Sequence, residues 1–150
     1  MTRWNNLPDE YQKKKNSKKV YKSKDEEVKL IIPGELPTMN EIINKSKTHW
    51  AKYGQMKGIY DDTVAWFATQ QEIPFFEAVK LNITYFRKNK RVDPDNISAG
   101  KKFIIDGLVK SGVLENDGWK EIKGFEENWK VDKNNPRVEV VLKNMKEEKI

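Results

Sequence analysis

Ala78-Val79-Lys80-Leu81-Asn82-Ile83-Thr84-Tyr85-Phe86-Arg87 runs straight into Lys88-Asn89-Lys90-Arg91-Val92-Asp93-Pro94-Asp95-Asn96, and these two stretches decide the fold. In the first, Val79, Leu81, Ile83 and Tyr85 fall on one face and Lys80, Asn82 and Thr84 on the other. That period of two belongs to a strand with one buried side. The second opens with a basic connection and turns acidic at a proline. From about Ile97 to Lys110 the pattern is helical, with Ile97, Phe103, Ile104, Leu108 and to a lesser degree Ile105 expected inside. Gly112 stands where a glycine ends a helix.

Outward from this centre, Val28, Leu30 and Ile32 predict a strand from Glu27, stopped by Pro33-Gly34. Thr38-Met39-Asn40-Glu41 has the form of a capping box after Pro37, so a helix is expected from Met39. Its apolar positions are Ile42, Ile43, Trp50, Tyr53, Val64 and Phe67, with Lys45, Lys47, Lys52 and Lys57 on its polar surface. Gly54 and Gly58 are the expected points of division into two helices. Two further strands are expected near 120–131 and 137–142, the second carried by Val138, Val140 and Leu142. The order is β-α-β-α-β-β, an α/β (α+β) fold with a mixed sheet of about four strands and two main helices. Residues 27–143 are expected to form the domain. A basic tail precedes it over 1–26, with Lys13-Lys14-Lys15, Lys18-Lys19, Lys22 and Lys24, and a charged tail follows over 144–150.

The chain of 150 residues holds 29 basic and 23 acidic side chains, a net charge of +6. That excess favours a polyanionic partner, although many basic proteins bind no nucleic acid. There is no cysteine, hence no disulfide framework and no thiolate metal site. No apolar run approaches the roughly 20 residues that cross a bilayer, and no signal peptide is recognised. A soluble, cytoplasmic protein is the expectation.

The chemistry is expected at Asp93-Pro94-Asp95-Asn96 and Asn116-Asp117-Gly118. Pro94 disfavours helical geometry at Asp93, and in an extended chain residues two apart point the same way. Asp93 and Asp95 would then aim at one point. Asp117 would return to them past one helix and a turn, and three carboxylates would suit a hard cation such as Mg²⁺. The structural alternative is plain: Asp-Pro-Asp-Asn also suits a turn that caps the next helix, and Asn-Asp-Gly suits a simple turn. Lys101 and Lys102 lie in the following helix, and either could stabilise charge on a phosphate or be an ordinary solvated lysine. Asp106, one turn from Lys102 and from Lys110, is expected in an ion pair. His49, beside Trp50, is expected to pack or to touch a phosphate.

The run Arg91-Val92-Asp93-Pro94-Asp95-Asn96, then Lys102-Phe103 to Asp106-Gly107-Leu108, then Gly112-Val113-Leu114-Glu115-Asn116-Asp117, resembles the RusA family of Holliday junction resolvases. The resemblance is strongest over 91–122 and weaker over 36–41 and 78–87. It implies a metal-dependent endonuclease that acts as a homodimer on four-way DNA junctions in a bacterial or phage-infected cell. It also implies Mg²⁺, replaceable by Mn²⁺, and no small-molecule cofactor. Its functional residues fall here on Asp93, Asp95, Lys102 and Asp117. The interval from Asp95 to the helix lysine exceeds the family pattern by about the length of Ser98-Ala99-Gly100, so Lys101 stays a candidate beside Lys102. Arg87, Lys88, Lys90 and Arg91 are the expected phosphate contacts. Two other readings compete. One is a restriction-type nuclease, whose acidic-x-Lys element would lie on a strand. The other is a non-catalytic DNA-binding module in which the acids only cap and turn.

Overall fold

The computed structural model describes residues 26–146 apart from His49. The basic tail over 1–25, His49 and residues 147–150 lie outside the described residues. The elements are β1 (Glu27–Pro33), α1 (Met39–Thr48), α2 (Trp50–Gln70), β2 (Val79–Arg87), α3 (Pro94–Ile97), a 3₁₀ turn (Ser98–Gly100), α4 (Lys101–Lys110), β3 (Ile122–Val131) and β4 (Arg137–Asn144). The four strands form one mixed sheet in the order β1-β4-β2-β3. β4 is antiparallel to both β1 and β2, and β3 is parallel to β2 at the edge.

The sheet buries one face. Leu30 and Ile32 lie opposite Val140 and Val138, which in turn lie opposite Ile83 and Tyr85, and all six are at most 3% exposed. Val64 and Ala68 of α2 and Ile104 and Leu108 of α4 complete this core. The expected alternation in β1, β2 and β4 is therefore realised. The opposite face carries Lys29, Lys80 and other residues that keep contact with solvent.

The structure departs from expectation in three places. The first stretch divides at 48–50, while Gly54 and Gly58 lie inside α2 with open space where a side chain would be. Each glycine costs helix propensity of about 1 kcal/mol, but neither blocks packing. Ile43 of α1 is exposed, and Trp50 is 82% exposed, because α2 packs on the core further along, through the small residues Ala65 and Ala68 and through Val64. β4 runs past its expected end at Leu142 and keeps Asn144 buried. The capping box at α1 is present: the Glu41 N–H donates to Thr38 Oγ1 (3.3 Å), and the Thr38 hydroxyl donates to Glu41 Oε1 (3.2 Å). Gly112, at φ +81, follows α4 as its left-handed terminator.

α2 and α4 meet at Gly107. A Cβ there would lie 2.5 Å from Val64 Cβ and Cγ1 and 2.9 Å from the Asp61 carbonyl oxygen. Alanine is favoured over glycine in an open helix by about 1 kcal/mol, whereas overpacking a core costs about 1–3 kcal/mol. The clash decides the sign. Gly107→Ala should lower the unfolding free energy by about 1–2 kcal/mol in urea titrations, while the same change at open Gly58 should leave it unchanged or raised.

Candidate active site

Asp93 sits at the N-cap position of α3 with extended backbone (φ −73, ψ 151), and Pro94 is the first helical residue. The chain turns helical at Pro94, so Asp95 lies in the first turn rather than in an extended segment. The expected alignment of the two carboxylates by strand geometry is thus replaced by helix-start geometry. Asp93 makes no side-chain cap, and its carbonyl accepts from the Asn96 and Ile97 N–H groups. Asp95 Oδ1 accepts from the Asn96 N–H at 2.9 Å. Both side chains are exposed.

Ser98-Ala99-Gly100 forms the 3₁₀ turn, and Gly100 brings it against Leu36: a Cβ would lie 3.0 Å from Leu36 Cβ. This turn sets where the two lysines point. Lys101 Nζ donates to Glu127 Oε1 (3.0 Å) and lies 4.5 Å from the centre of the Phe125 ring. Lys102 Nζ lies 3.4 Å from Asp106 Oδ1 and 3.9 Å from Asp117 Oδ2. The structure therefore brings Lys102, and not Lys101, to Asp117. At 3.9 Å the pair is too long for a direct hydrogen bond, and Lys102 remains 60% exposed.

Asp106 stands in the expected ion pair with Lys102, but its second partner is Lys57 rather than Lys110. Lys57 of α2 bridges Asp61 and Asp106 at 2.6 Å each, so the sequence Asp61, Lys57, Asp106, Lys102, Asp117 alternates in sign from α2 to the loop before β3. Burial pushes the Asp61 carboxyl up, against the opposing pull of Lys57. Burial lowers the Lys57 ammonium, but its bonds to Asp106 and Asp61 outweigh this and leave it raised. Lys110 pairs instead with Asp62, fully buried in α2, whose carboxyl burial pushes up.

Among the expected phosphate contacts, Lys88, Lys90 and Arg91 are exposed and make no ion pair among the described residues. Arg87 is largely covered and pairs with Glu35 at 3.5 Å; Glu35 also accepts the Lys88 N–H. Arg87 thus belongs to the scaffold that holds this connection.

A cavity of about 350 Å³ opens beside α4, lined by Lys101, Lys102, Asp117, Trp119 and Phe125 among others. Three of its neighbours escaped the sequence reading. Trp119 is 96% exposed. Glu121 is buried and accepts the Gly118 N–H through Oε1. Glu127 accepts from Lys101 and from the Tyr85 hydroxyl (3.0 Å). An aromatic residue directly after an Asn-Asp-Gly turn was the available signal for Trp119; the Glu127 pairing is long-range and left none.

The oxygen donors of Asp93, Asp95 and Asp117 have the hardness that Mg²⁺ prefers. Yet among the described residues no three His, Cys, Asp or Glu side chains converge into a group that could hold a metal ion. No family model and no curated protein matches the chain. Among the described residues no helix is long and apolar enough to cross a membrane.

Desolvation raises the Glu127 carboxyl, but the bonds from Lys101 and Tyr85, with the buried Ser98 hydroxyl nearby, outweigh it and hold the group below its ordinary value. A depressed carboxylate contributes stability above its unfolded pKa and loses it as pH falls through the folded one. Glu127→Gln should therefore cost about 1–3 kcal/mol near neutral pH. The difference from the parent protein should shrink below about pH 4, as read by urea unfolding across that range.

Proposed function

We propose that the chain is a structure-specific endodeoxyribonuclease of the RusA type, acting as a homodimer on four-way DNA junctions in the cytoplasm of a bacterium or phage-infected host. The observation that carries this reading is the meeting of Lys102 with Asp117 beside an open cavity. A helix cation and a later aspartate, distant in sequence, share one exposed corner. Lys102 presents its ammonium to the scissile phosphate, where charge builds during cleavage. Asp106, backed by Lys57, holds that lysine in place. Lys88, Lys90 and Arg91, beside Asp93, contact neighbouring phosphates and steer the DNA backbone toward the acidic turn. A requirement for Mg²⁺, or Mn²⁺ in its place, is part of the proposal as a measurable dependence.

That no three possible metal ligands gather among the described residues favours one other reading, a basic module that binds branched DNA without cutting it. Incubation of the purified chain with a synthetic four-way junction and a matched linear duplex, with Mg²⁺ and with EDTA, separates the two. The nuclease cuts the junction, spares the duplex and stops in EDTA. Lys102→Ala should slow cutting by about 10²–10³-fold. Asp95→Asn and Asp117→Asn should abolish it with junction binding intact. A chain that binds the junction and cuts no DNA with either ion is the module.

A further inference from the structure

We infer that Trp119 is a stacking platform for a single unpaired nucleobase, placed beside the Lys102–Asp117 corner. The inference deepens the proposed DNA reading and rests on it for its ligand class.

The turn that carries the indole is built firmly. The Glu121 and Ile122 N–H groups both donate to the Gly118 carbonyl (3.2 and 3.0 Å), and the buried Glu121 carboxylate receives the Gly118 N–H. The Lys123 ammonium donates to the Trp119 carbonyl at 3.3 Å. On this fixed backbone the side chain is 96% exposed, more than any other large apolar residue described. Its neighbours in the region have partners: Lys101 lies over Phe125, and Trp129 stacks on Tyr85. Trp119 has no ring or cation contact among the described residues. A rigid turn that holds one bare indole out into solvent gains nothing for folding, because it buries no apolar area.

The surroundings select the occupant. Lys101 and Lys102 line the same cavity, and the exposed Lys120 and Lys123 flank the indole. Glu127 takes up Lys101, and Asp106 and Asp117 face Lys102, which leaves Lys120 and Lys123 with no ion pair among the described residues. Lysine is depleted at protein–protein interfaces, whereas aromatic platforms set among cations are the common device for single-stranded nucleic acid. The cavity lies at the small end of small-molecule clefts, which suits one nucleotide rather than a strand. A base inside a stacked duplex cannot reach an indole that stands clear of the surface. Branch points and single strands supply bases that can.

The test uses the full chain, its Trp119→Ala and Trp119→Phe variants, and a single-stranded oligonucleotide carrying one 2-aminopurine, alongside a linear duplex. Base stacking on an aromatic side chain corresponds to roughly a 5- to 150-fold change in affinity. Trp119→Ala should lose binding to the single strand within that range and lose the quenching of 2-aminopurine. Binding to duplex should be unchanged, and Trp119→Phe should keep most of both signals. Because the indole is exposed, thermal unfolding of the variants should match the parent. Unchanged single-strand binding by Trp119→Ala overturns the inference, as does a parent protein that neither binds nor quenches the oligonucleotide. An equal loss on duplex also overturns it. So does a change in sedimentation from dimer to monomer, which would give the surface to a second copy of the chain. A chain that stacks the base and cuts no junction upholds the platform and removes the nuclease, so the two failures are told apart.

Discussion

α4 can approach α2 only where no side chain intervenes, and Gly107 is that place. With Val64 and the Asp61 carbonyl standing where a Cβ at Gly107 would lie, this face of the helix is the one that turns to α2. Ile104 and Leu108 then join the core, Phe103 packs against Tyr60 of α2, and the residues left over take the directions that remain. Lys101 is turned to the edge strand and Lys102 to the loop before β3. The contact between two helices, made for packing, thereby chooses which of two adjacent lysines reaches Asp117.

The charges at this corner are arranged to hold rather than to neutralise one another. Lys57 is shared between two aspartates, Asp106 between two lysines, and the outer end of the series is a loosely held ammonium beside an exposed carboxylate. Each inner member is covered enough to be ordered, while Lys102 is exposed enough to be available. Exposed pairs of this kind contribute little to stability, of the order of 0–1 kcal/mol. Their value lies in placing charge. The acidic turn at 93–95 is organised differently: its carboxylates are presented by the start of a helix and, among the described residues, accept only a neighbouring N–H.

Much of this was legible in the sequence because local rules and tertiary packing agreed. The alternation of Val79, Leu81, Ile83 and Tyr85, the Thr38–Glu41 box and the terminator at Gly112 each express one short-range preference, and the fold satisfies all three. The division of the first helical stretch was not legible. Gly54 and Gly58 are the weak points by propensity, but α2 passes through both, since nothing at those positions competes for space. The choice between Lys101 and Lys102 depended on helix phase, which a 3₁₀ turn and a glycine contact set. Lys57 read as a surface lysine of an amphipathic helix, because its partner Asp106 lies far along the chain. The paired acids of Asp93-Pro94-Asp95 were visible, but their helix-start geometry was not, since Pro94 fits the first position of a helix as well as it fits a strand end.

The tightened turn at Ser98–Gly100 has a geometric property of its own. A 3₁₀ helix advances by three residues per turn and about 2.0 Å per residue, so this segment makes one full revolution and advances the axis by roughly 6 Å. A rod built with or without it presents the same side to its neighbours. Length here is thus uncoupled from orientation: such a segment moves the two lysines along the axis, relative to the acidic turn, without swinging either one to another side of the molecule.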